Sequence, residues 1–328
     1  MTPVRKRKLV VVGLVLLAVW LNNTSLFHDG TPGATRLVAH RGVHQTFSID
    51  GVDRDTCTAT RIDPPRHRFI ENTLPSMQAA FEAGADVVEI DVHLTPDGAL
   101  AVFHDWTLDC RTNARGVTEA TPMDQLRAVD VGHGYSADGV TFPLRGQGIG
   151  LMPTLDEVFA AFPNGRFLVN LKSTRAEEGE AVAARVASQP AWRAALWGVY
   201  GGGPPTERAL ARVPHLRGYT KESLARCLAP YVLVGWTGHV PDACRGTVVH
   251  LPRDLAPLFW GWPHRFTARL RAVGSVVVLG GAARAHGTSG IDDIAAFDEA
   301  VPVGFEGYVW TNRIEIVGPH LRARKAAP

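Results

Sequence analysis

From residue 36 onward, short runs rich in Val, Leu and Ile alternate with stretches in which apolar residues recur every three or four positions. The short runs predict strands over Arg36–His40, Asp86–Val92, Leu100–His104, Arg166–Leu171, Leu196–Tyr200, Leu216–Thr220, Thr247–Leu251, Ser275–Leu279 and Gly307–Trp310. The longer stretches predict helices over Ser76–Ala83, Thr154–Ala161, Glu177–Ala187, Thr206–Ala211, Lys221–Leu228, Arg265–Ala272 and Ile291–Ala300. Thr154-Leu155-Asp156-Glu157 opens the second of these with the spacing of a capping box. Strands alternating with helices predict a mostly parallel sheet, and eight or nine such units over about 290 residues suit a closed (β/α)8 TIM barrel better than a doubly wound sheet. Gly146-Gln147-Gly148-Ile149-Gly150 has no strand leading into it, so it reads as loop rather than as a phosphate cradle.

The N-terminus breaks this rhythm. Arg5, Lys6, Arg7 and Lys8 precede Leu9–Leu21, a run without a charged or polar side chain. Cations before an apolar run are the pattern of an export signal. Thirteen helical residues span about 20 Å, less than the roughly 30 Å hydrocarbon core. The following Trp20-Leu21-Asn22-Asn23-Thr24 lacks small residues at a cleavage spacing. An uncleaved signal anchor is therefore preferred over a cleaved signal peptide, and the body is expected outside the cytoplasm, anchored or secreted. The organisation that follows is residues 1–21 as signal segment, 22–35 as linker and 36–320 as a single catalytic barrel domain.

Composition changes this picture in two places. Those four terminal cations are among 34 basic residues, so the rest of the chain sets 30 basic against 32 acidic ones. The body thus has no electrostatic footprint for nucleic acid. No protein partner is implied either. The four cysteines, Cys57, Cys110, Cys227 and Cys244, form no C-x-x-C pair and no zinc spacing with histidine. An even count in an exported chain favours disulfides. Of the three possible pairings, Cys227–Cys244, close in sequence, with Cys57–Cys110 is the preferred one.

Candidate chemistry is concentrated in residues 38–105. His40-Arg41-Gly42 ends the first strand, Glu71-Asn72-Thr73 precedes a helix, Glu89 and Asp91 share one face of the second strand, and His104-Asp105 ends the next. Two carboxylates on one face repel unless a cation lies between them, and all-oxygen ligands favour Mg²⁺ or Ca²⁺. Histidines at neighbouring strand ends suit base and acid on opposite sides of a phosphorus centre, and the planar fork of Arg41 suits a phosphate oxygen. Lysine is rare, five against 29 arginines, and Lys172 ends a strand with Asn170 on the same face. Lys221 reads as surface, His93 as a rim residue, and His44 as a marginal substrate contact.

In this order, His40-Arg41-Gly42, Glu71-Asn72-Thr73, Glu89-x-Asp91, Thr95-x-Asp97-Gly98, His104-Asp105, Pro153-Thr154-Leu155, Asn170-x-Lys172 and Trp310-Thr311-Asn312-Arg313 resemble the glycerophosphodiester phosphodiesterase family over residues 36–317. The resemblance implies a (β/α)8 barrel that uses one divalent cation to hydrolyse glycerophosphodiesters to an alcohol and sn-glycerol 3-phosphate. It implies His40 as proton acceptor, His104 as proton donor, and Glu89 and Asp91 as metal ligands. Arg41 and Lys172 would hold the phosphate, with Glu71, Asn72 and Trp310 as further substrate contacts; core packing is the alternative for Trp310. The family pattern has an acidic third ligand two residues before the lysine, where this chain has Asn170. Residues 43–70 form an insertion expected over the active-site mouth, with a disulfide-pinned surface loop as the alternative. The competing functions are a phospholipase D-like hydrolase of lysophospholipids or sphingolipids and a catalytically weak envelope binding protein.

Overall fold

The computed structural model describes residues 3–27, 30–31, 34–53, 56–284 and 287–326. In chain order the elements are α1 (Pro3–Asn23), β1 (Arg36–His40), α2 (Leu74–Ala83), β2 (Val87–Leu94), β3 (Leu100–Val102), α3 (Met123–Ala128), α4 (Leu155–Ala161), β4 (Phe167–Leu171), α5 (Ala176–Ser188) and α6 (Trp192–Ala195). They continue as β5 (Leu196–Gly201), α7 (Gly203–Arg212), β6 (Arg217–Tyr219), α8 (Lys221–Val234), β7 (Val248–Pro252), α9 (His264–Ala272), β8 (Val276–Gly280), β9 (Ala283–Arg284), β10 (Gly287–Thr288), α10 (Ile294–Ala300), β11 (Tyr308–Thr311) and α11 (Ile314–Ala326).

Eight parallel strands run side by side in the order β6-β5-β4-β2-β1-β11-β8-β7. The ends of this path meet between β6 and β7, where Thr247 Oγ1 donates to the Gly218 carbonyl at 2.6 Å. The fold is the expected (β/α)8 barrel. The run expected as a strand over Leu100–His104 stops at Val102 and is no barrel stave: β3 turns back antiparallel onto β2, with Val102 opposite Val92. His104 therefore stands in the loop beyond it.

Side-chain alternation in the strands decides which residues enter the barrel. Val38, Val87, Leu168, Val248 and Tyr308 pack together in the interior. Two positions further along the same strands stand His40, Glu89, Asn170, His250 and Trp310. The inward face thus changes from apolar to chemical over one pleat, at the C-terminal ends of the strands. The intervening residues, among them Ala39, Val88, Ile90, Val169 and Leu251, pack outward against Met77, Val158, Val182 and Phe266 of the surrounding helices.

Local signals set the helix starts. Thr73, Thr154 and Thr220 cap α2, α4 and α8 reciprocally with Ser76, Glu157 and Ser223. The excursion between β3 and α4 has its own small core, in which Phe103, Leu108, Leu126, Tyr135 and Met152 pack with Ala59, Ile62 and Ile70 of the 43–70 insertion. Cys57–Cys110 ties these two segments together, and Cys227–Cys244 ties α8 to the turn before β7. Both preferred pairings are present, and no described cysteine is free.

Helix α1 is longer than its apolar run and takes in Asn22 and Asn23, the first residues of the expected linker; residues 28–29 and 32–33 of that linker lie outside the described residues. None of the residues of α1 is buried. Among the described residues no helix is long and apolar enough to cross a membrane.

Candidate active site

Where β1 ends, the backbone turns through left-handed conformations at Arg41 (φ 57°) and Gly42 (φ 78°). A side chain on Gly42 would place its Cβ 2.6 Å from Ser76 Oγ, so glycine is required there. Asn72 is also left-handed, at φ 59°. Non-glycine residues with positive φ are uncommon and persist where surrounding contacts over-determine them. Here the Arg41 amide donates to the Glu89 carbonyl at 2.9 Å, and Asn72 N donates to the Arg41 carbonyl at 3.1 Å. This turn brings the Arg41 guanidinium between two carboxylates, 3.0 Å from Glu71 and 3.3 Å from Asp91.

His40 pairs through Nδ1 with Asn312 Oδ1 at 2.6 Å. Asn312 Nδ2 in turn donates to Asp292 Oδ2 at 2.8 Å, and Asn312 N to Asp292 Oδ1 at 2.6 Å. Because the amide nitrogen is committed to Asp292, its oxygen must accept, so the His40 proton is on Nδ1 and Nε2 carries the lone pair. Nε2 faces Glu89 at 3.7 Å, with a fifth of the side chain open to solvent. Burial, then the nearby Arg41 and His44, hold this imidazole well below its usual pKa, so the ring is neutral.

His104 has a different partner. Its Nδ1 lies 2.7 Å from Asp105 Oδ1. The other Asp105 oxygen accepts from Arg111 at 3.0 Å, and Arg111 also lies 3.2 Å from Glu71 and donates to Thr58 Oγ1 at 2.9 Å. A continuous chain of polar and charged contacts, His104–Asp105–Arg111–Glu71–Arg41–Asp91, thus joins the loop carrying His104 to Arg41 beyond β1 and Asp91 on β2. Burial raises the Glu71 carboxyl, but Arg111 and Arg41 outweigh it and bring the pKa down to about 2. Burial, then Arg41 and Lys172, push His104 down to about 4.

Glu89 and Asp91 are both fully buried. Asp91 accepts from Asn72 Nδ2 at 2.9 Å and Asn170 Nδ2 at 2.8 Å, and Lys172 Nζ lies 3.5 Å away. Burial would raise its pKa, but Lys172, His104 and Arg41 together hold it well below the carboxylate range. Glu89 accepts from Tyr200 OH at 2.7 Å. Burial and then the adjacent Asp91 charge push it up to about 8. This upward shift marks a demand for positive charge that the surrounding side chains do not meet, and the donor set is all oxygen. Both features fit a hard divalent cation held by one or two carboxylates and the substrate phosphate. Among the described residues no three His, Cys, Asp or Glu side chains form a ready-made cage. Asn170 donates to Asp91, so its amide must turn over to present oxygen to a cation at that point. Glu71 is engaged by two arginines.

The sequence-predicted residues therefore converge, with altered parts for some. Glu71 and Asn72 hold Arg41 and Asp91 in place. Trp310 is buried between His40 and His250, with ring centroids 4.9 and 5.1 Å away. His93, expected at the rim, is fully buried beneath the loop carrying Trp106. The insertion walls a polar cleft of about 340 Å³ together with Arg313, lined by His44, Gln45, Thr46, Asp63, Arg66 and His67. His44 touches the His40 ring at 5.6 Å, so the cleft adjoins that histidine. Asn312 and Asp105 stood inside quoted motifs without a role being given to them, whereas Asp292, Arg111 and Tyr200 were missed and carried no signal in the sequence.

The glycerophosphoryl diester phosphodiesterase family model matches residues 40–193, which include both histidines, both carboxylates, Asn170 and Lys172. The family likeness thus takes in a little under half of the chain and every candidate residue from His40 to Lys172. A glycerophosphodiester phosphodiesterase of Caldanaerobacter subterraneus is 39% identical over 102 residues, 31% of this chain and 39% of that protein. The chain thus matches about two fifths of that relative's length. Among solved structures, the glycerophosphoryl diester phosphodiesterase domain of a Mycobacterium tuberculosis protein superposes with a TM-score of 0.60 at 18% identity, covering 88% of this chain and 99% of the other. An Oleispira antarctica phosphodiesterase in complex with the product sn-glycerol-3-phosphate superposes at 0.53 and 19% identity, covering 89% and 97%. These likenesses extend the shared fold well beyond residue 193.

Proposed function

We propose that this chain hydrolyses glycerophosphodiesters to an alcohol and sn-glycerol 3-phosphate. The observation that carries the reading is the unequal support of the two histidines. His40 donates from Nδ1 to a neutral amide, which favours a neutral imidazole with a free lone pair at Nε2. His104 pairs with a carboxylate, which favours the imidazolium. His40 is therefore the proton acceptor and His104 the proton donor. Burial is the main reason that His104 is depressed, and a phosphodiester anion arriving at Arg41 and Lys172 offsets the two charges that add to it, which raises the pKa of the donor when substrate is present. The match of residues 40–193 to the family model and the product complex of the Oleispira structure support the same substrate class.

Glu89 and Asp91 would hold a divalent cation, with Asn170 beside them. When bound, it would supply positive charge to the phosphate oxygens. Arg41 and Lys172 bring fixed cations to the same oxygens, while Asp292 and Asn312 keep the His40 proton off Nε2. The cleft beside His40 is walled by polar side chains, which suits a hydroxylated or charged arm of the diester rather than an acyl chain. This favours soluble glycerophosphodiesters over lysophospholipids. The apolar α1 and the two disulfides support an extracytoplasmic body tethered to the membrane through residues 1–21. A panel of glycerophosphodiesters and lysolipids, assayed with chelator and with Mg²⁺ or Ca²⁺ restored, tests the activity. Cation-dependent release of glycerol 3-phosphate is expected; turnover of lysolipids alone, or of nothing, would refute it.

A further inference from the structure

An apolar surface surrounds the point where α1 joins the barrel. Leu233 is 74% and Phe27 69% exposed, and Trp20, Val232, Trp236 and Trp260 are also open. These residues form one neighbourhood. Trp20 and Phe27 are in edge contact at 6.3 Å, and Trp260 Nε1 donates to the Val232 carbonyl at 2.9 Å. Asn22 and Asn23 donate to the Trp236 carbonyl at 3.1 and 2.8 Å. Arg269 closes the group by donating to Asn22 O (2.7 Å), Asn23 Oδ1 (3.1 Å) and Gly235 O (3.0 Å). A cation at a helix C-terminus is the favourable sign for the helix dipole, so Arg269 fastens α1 to the body.

The fold places this surface at the end of the barrel opposite the catalytic residues. Helix α8 is capped by Thr220 at the C-terminal end of β6 and runs back about 21 Å over its 14 residues, carrying Val232 and Leu233 to the other end. The segment after α1 enters β1 at its N-terminal end, where Thr35 Oγ1 donates to Phe305 O just before β11. The catalytic histidines lie where the strands finish.

We propose that Trp20, Phe27, Val232, Leu233, Trp236 and Trp260 rest in the lipid interface, so that the catalytic mouth opens away from the bilayer into water. The occupant follows from continuity. The surface runs directly into Leu9–Leu21, a helix apolar on every side with no buried residue, as in a segment that sits in lipid. Tryptophans belong at the boundary between hydrocarbon and water, and the Trp260 N–H is already bonded within the protein, which leaves its ring for the lipid. The cations Arg5–Lys8 lie at the far end of α1, clear of this surface. The inference rests on the α1 tether proposed above and adds the contact made by the body itself. It also means that the substrate comes from the aqueous phase.

The test reconstitutes the full-length chain into vesicles of phosphatidylcholine with one quarter phosphatidylglycerol, with and without brominated acyl chains. Bromine should quench part of the tryptophan fluorescence, and at least half of that quenching should be lost in Trp236→Phe/Trp260→Phe. Turnover of a water-soluble glycerophosphodiester should be the same on vesicles as in detergent. Equal quenching in wild type and variant, with vesicle binding intact, would overturn the inference while leaving the tether standing. No vesicle binding would overturn both. A vesicle-free dimer dispersed by Leu233→Glu would assign the surface to a protein partner, and loss of turnover on vesicles would place the mouth against the membrane; either result overturns the proposal.

Discussion

Replacing Asn312 by leucine keeps the approximate size of the side chain and removes the acceptor that holds the His40 proton on Nδ1. In the wild type that contact is 2.6 Å long, and Asp292 orients the amide. Without it, the His40 N–H is left unsatisfied or the imidazole moves its proton to Nε2, where the proton blocks the lone pair. Leaving a buried donor unpaired costs about 1–3 kcal/mol. If the productive tautomer is destabilised by that amount, kcat should fall by roughly 5- to 150-fold. KM should change little, because under the proposed reading Arg41 and Lys172, not Asn312, would carry the phosphate. The assay is steady-state release of glycerol 3-phosphate, paired with ¹⁵N NMR of the histidines and a thermal melt to show that the variant is folded. In the wild type the His40 Nδ1 resonance should have the shift of a protonated ring nitrogen, and in the variant the proton should populate Nε2. A folded Asn312→Leu protein with kcat within twofold of wild type, or with its whole loss in KM, would refute the tautomer argument.

Arg111→Met removes the cation shared by Glu71 and Asp105 and leaves two carboxylates without their main partner. Breaking a buried pair from one side typically costs about 3–5 kcal/mol, so denaturant titration should show a loss of that order, and an unchanged midpoint would contradict the network. With the Glu89 carboxyl pushed up to about 8, a cation bound there would have to displace a proton. Apparent cation affinity should therefore fall about tenfold for each pH unit below about 8; calorimetry in buffers of different ionisation enthalpy should show proton release, and pH-independent affinity would place the cation elsewhere. Gly42→Ala forces a Cβ against Ser76 at a positive φ and should cost about 1–3 kcal/mol, measurable by thermal melt. Reducing or replacing Cys227–Cys244 opens a loop with a sequence separation of 17 and should cost roughly 3 kcal/mol in the chain-entropy model; an unchanged melting temperature would refute it.

The barrel and most residues of the candidate site were legible in the amino-acid order because both depend on short-range periodicity. A strand alternates its faces every residue, so Glu89 and Asp91 could be placed together, with His40 at the next strand end, before any tertiary structure was known. Helix caps such as Thr154 with Glu157 are equally local. The cysteine pairing was legible where one pair was close in sequence. What needed the folded chain was every relation across a long separation. Asn312, just past β11 and held by Asp292 from the loop before α10, reaches His40, and Tyr200 reaches Glu89 from β5. Neither contact leaves a periodic trace. Arg111 is one of 29 arginines until burial between Glu71 and Asp105 sets it apart. β3 was misread as a barrel stave because an apolar run does not state its direction; the turn at Asp97-Gly98 and pairing with β2 decide it. His93 shows the same limit, since alternation gives its face but not its depth. The residue order determines which groups can share a face, and only the closed barrel decides which faces meet, because burial and charge compensation are properties of neighbours that the chain brings together from a distance.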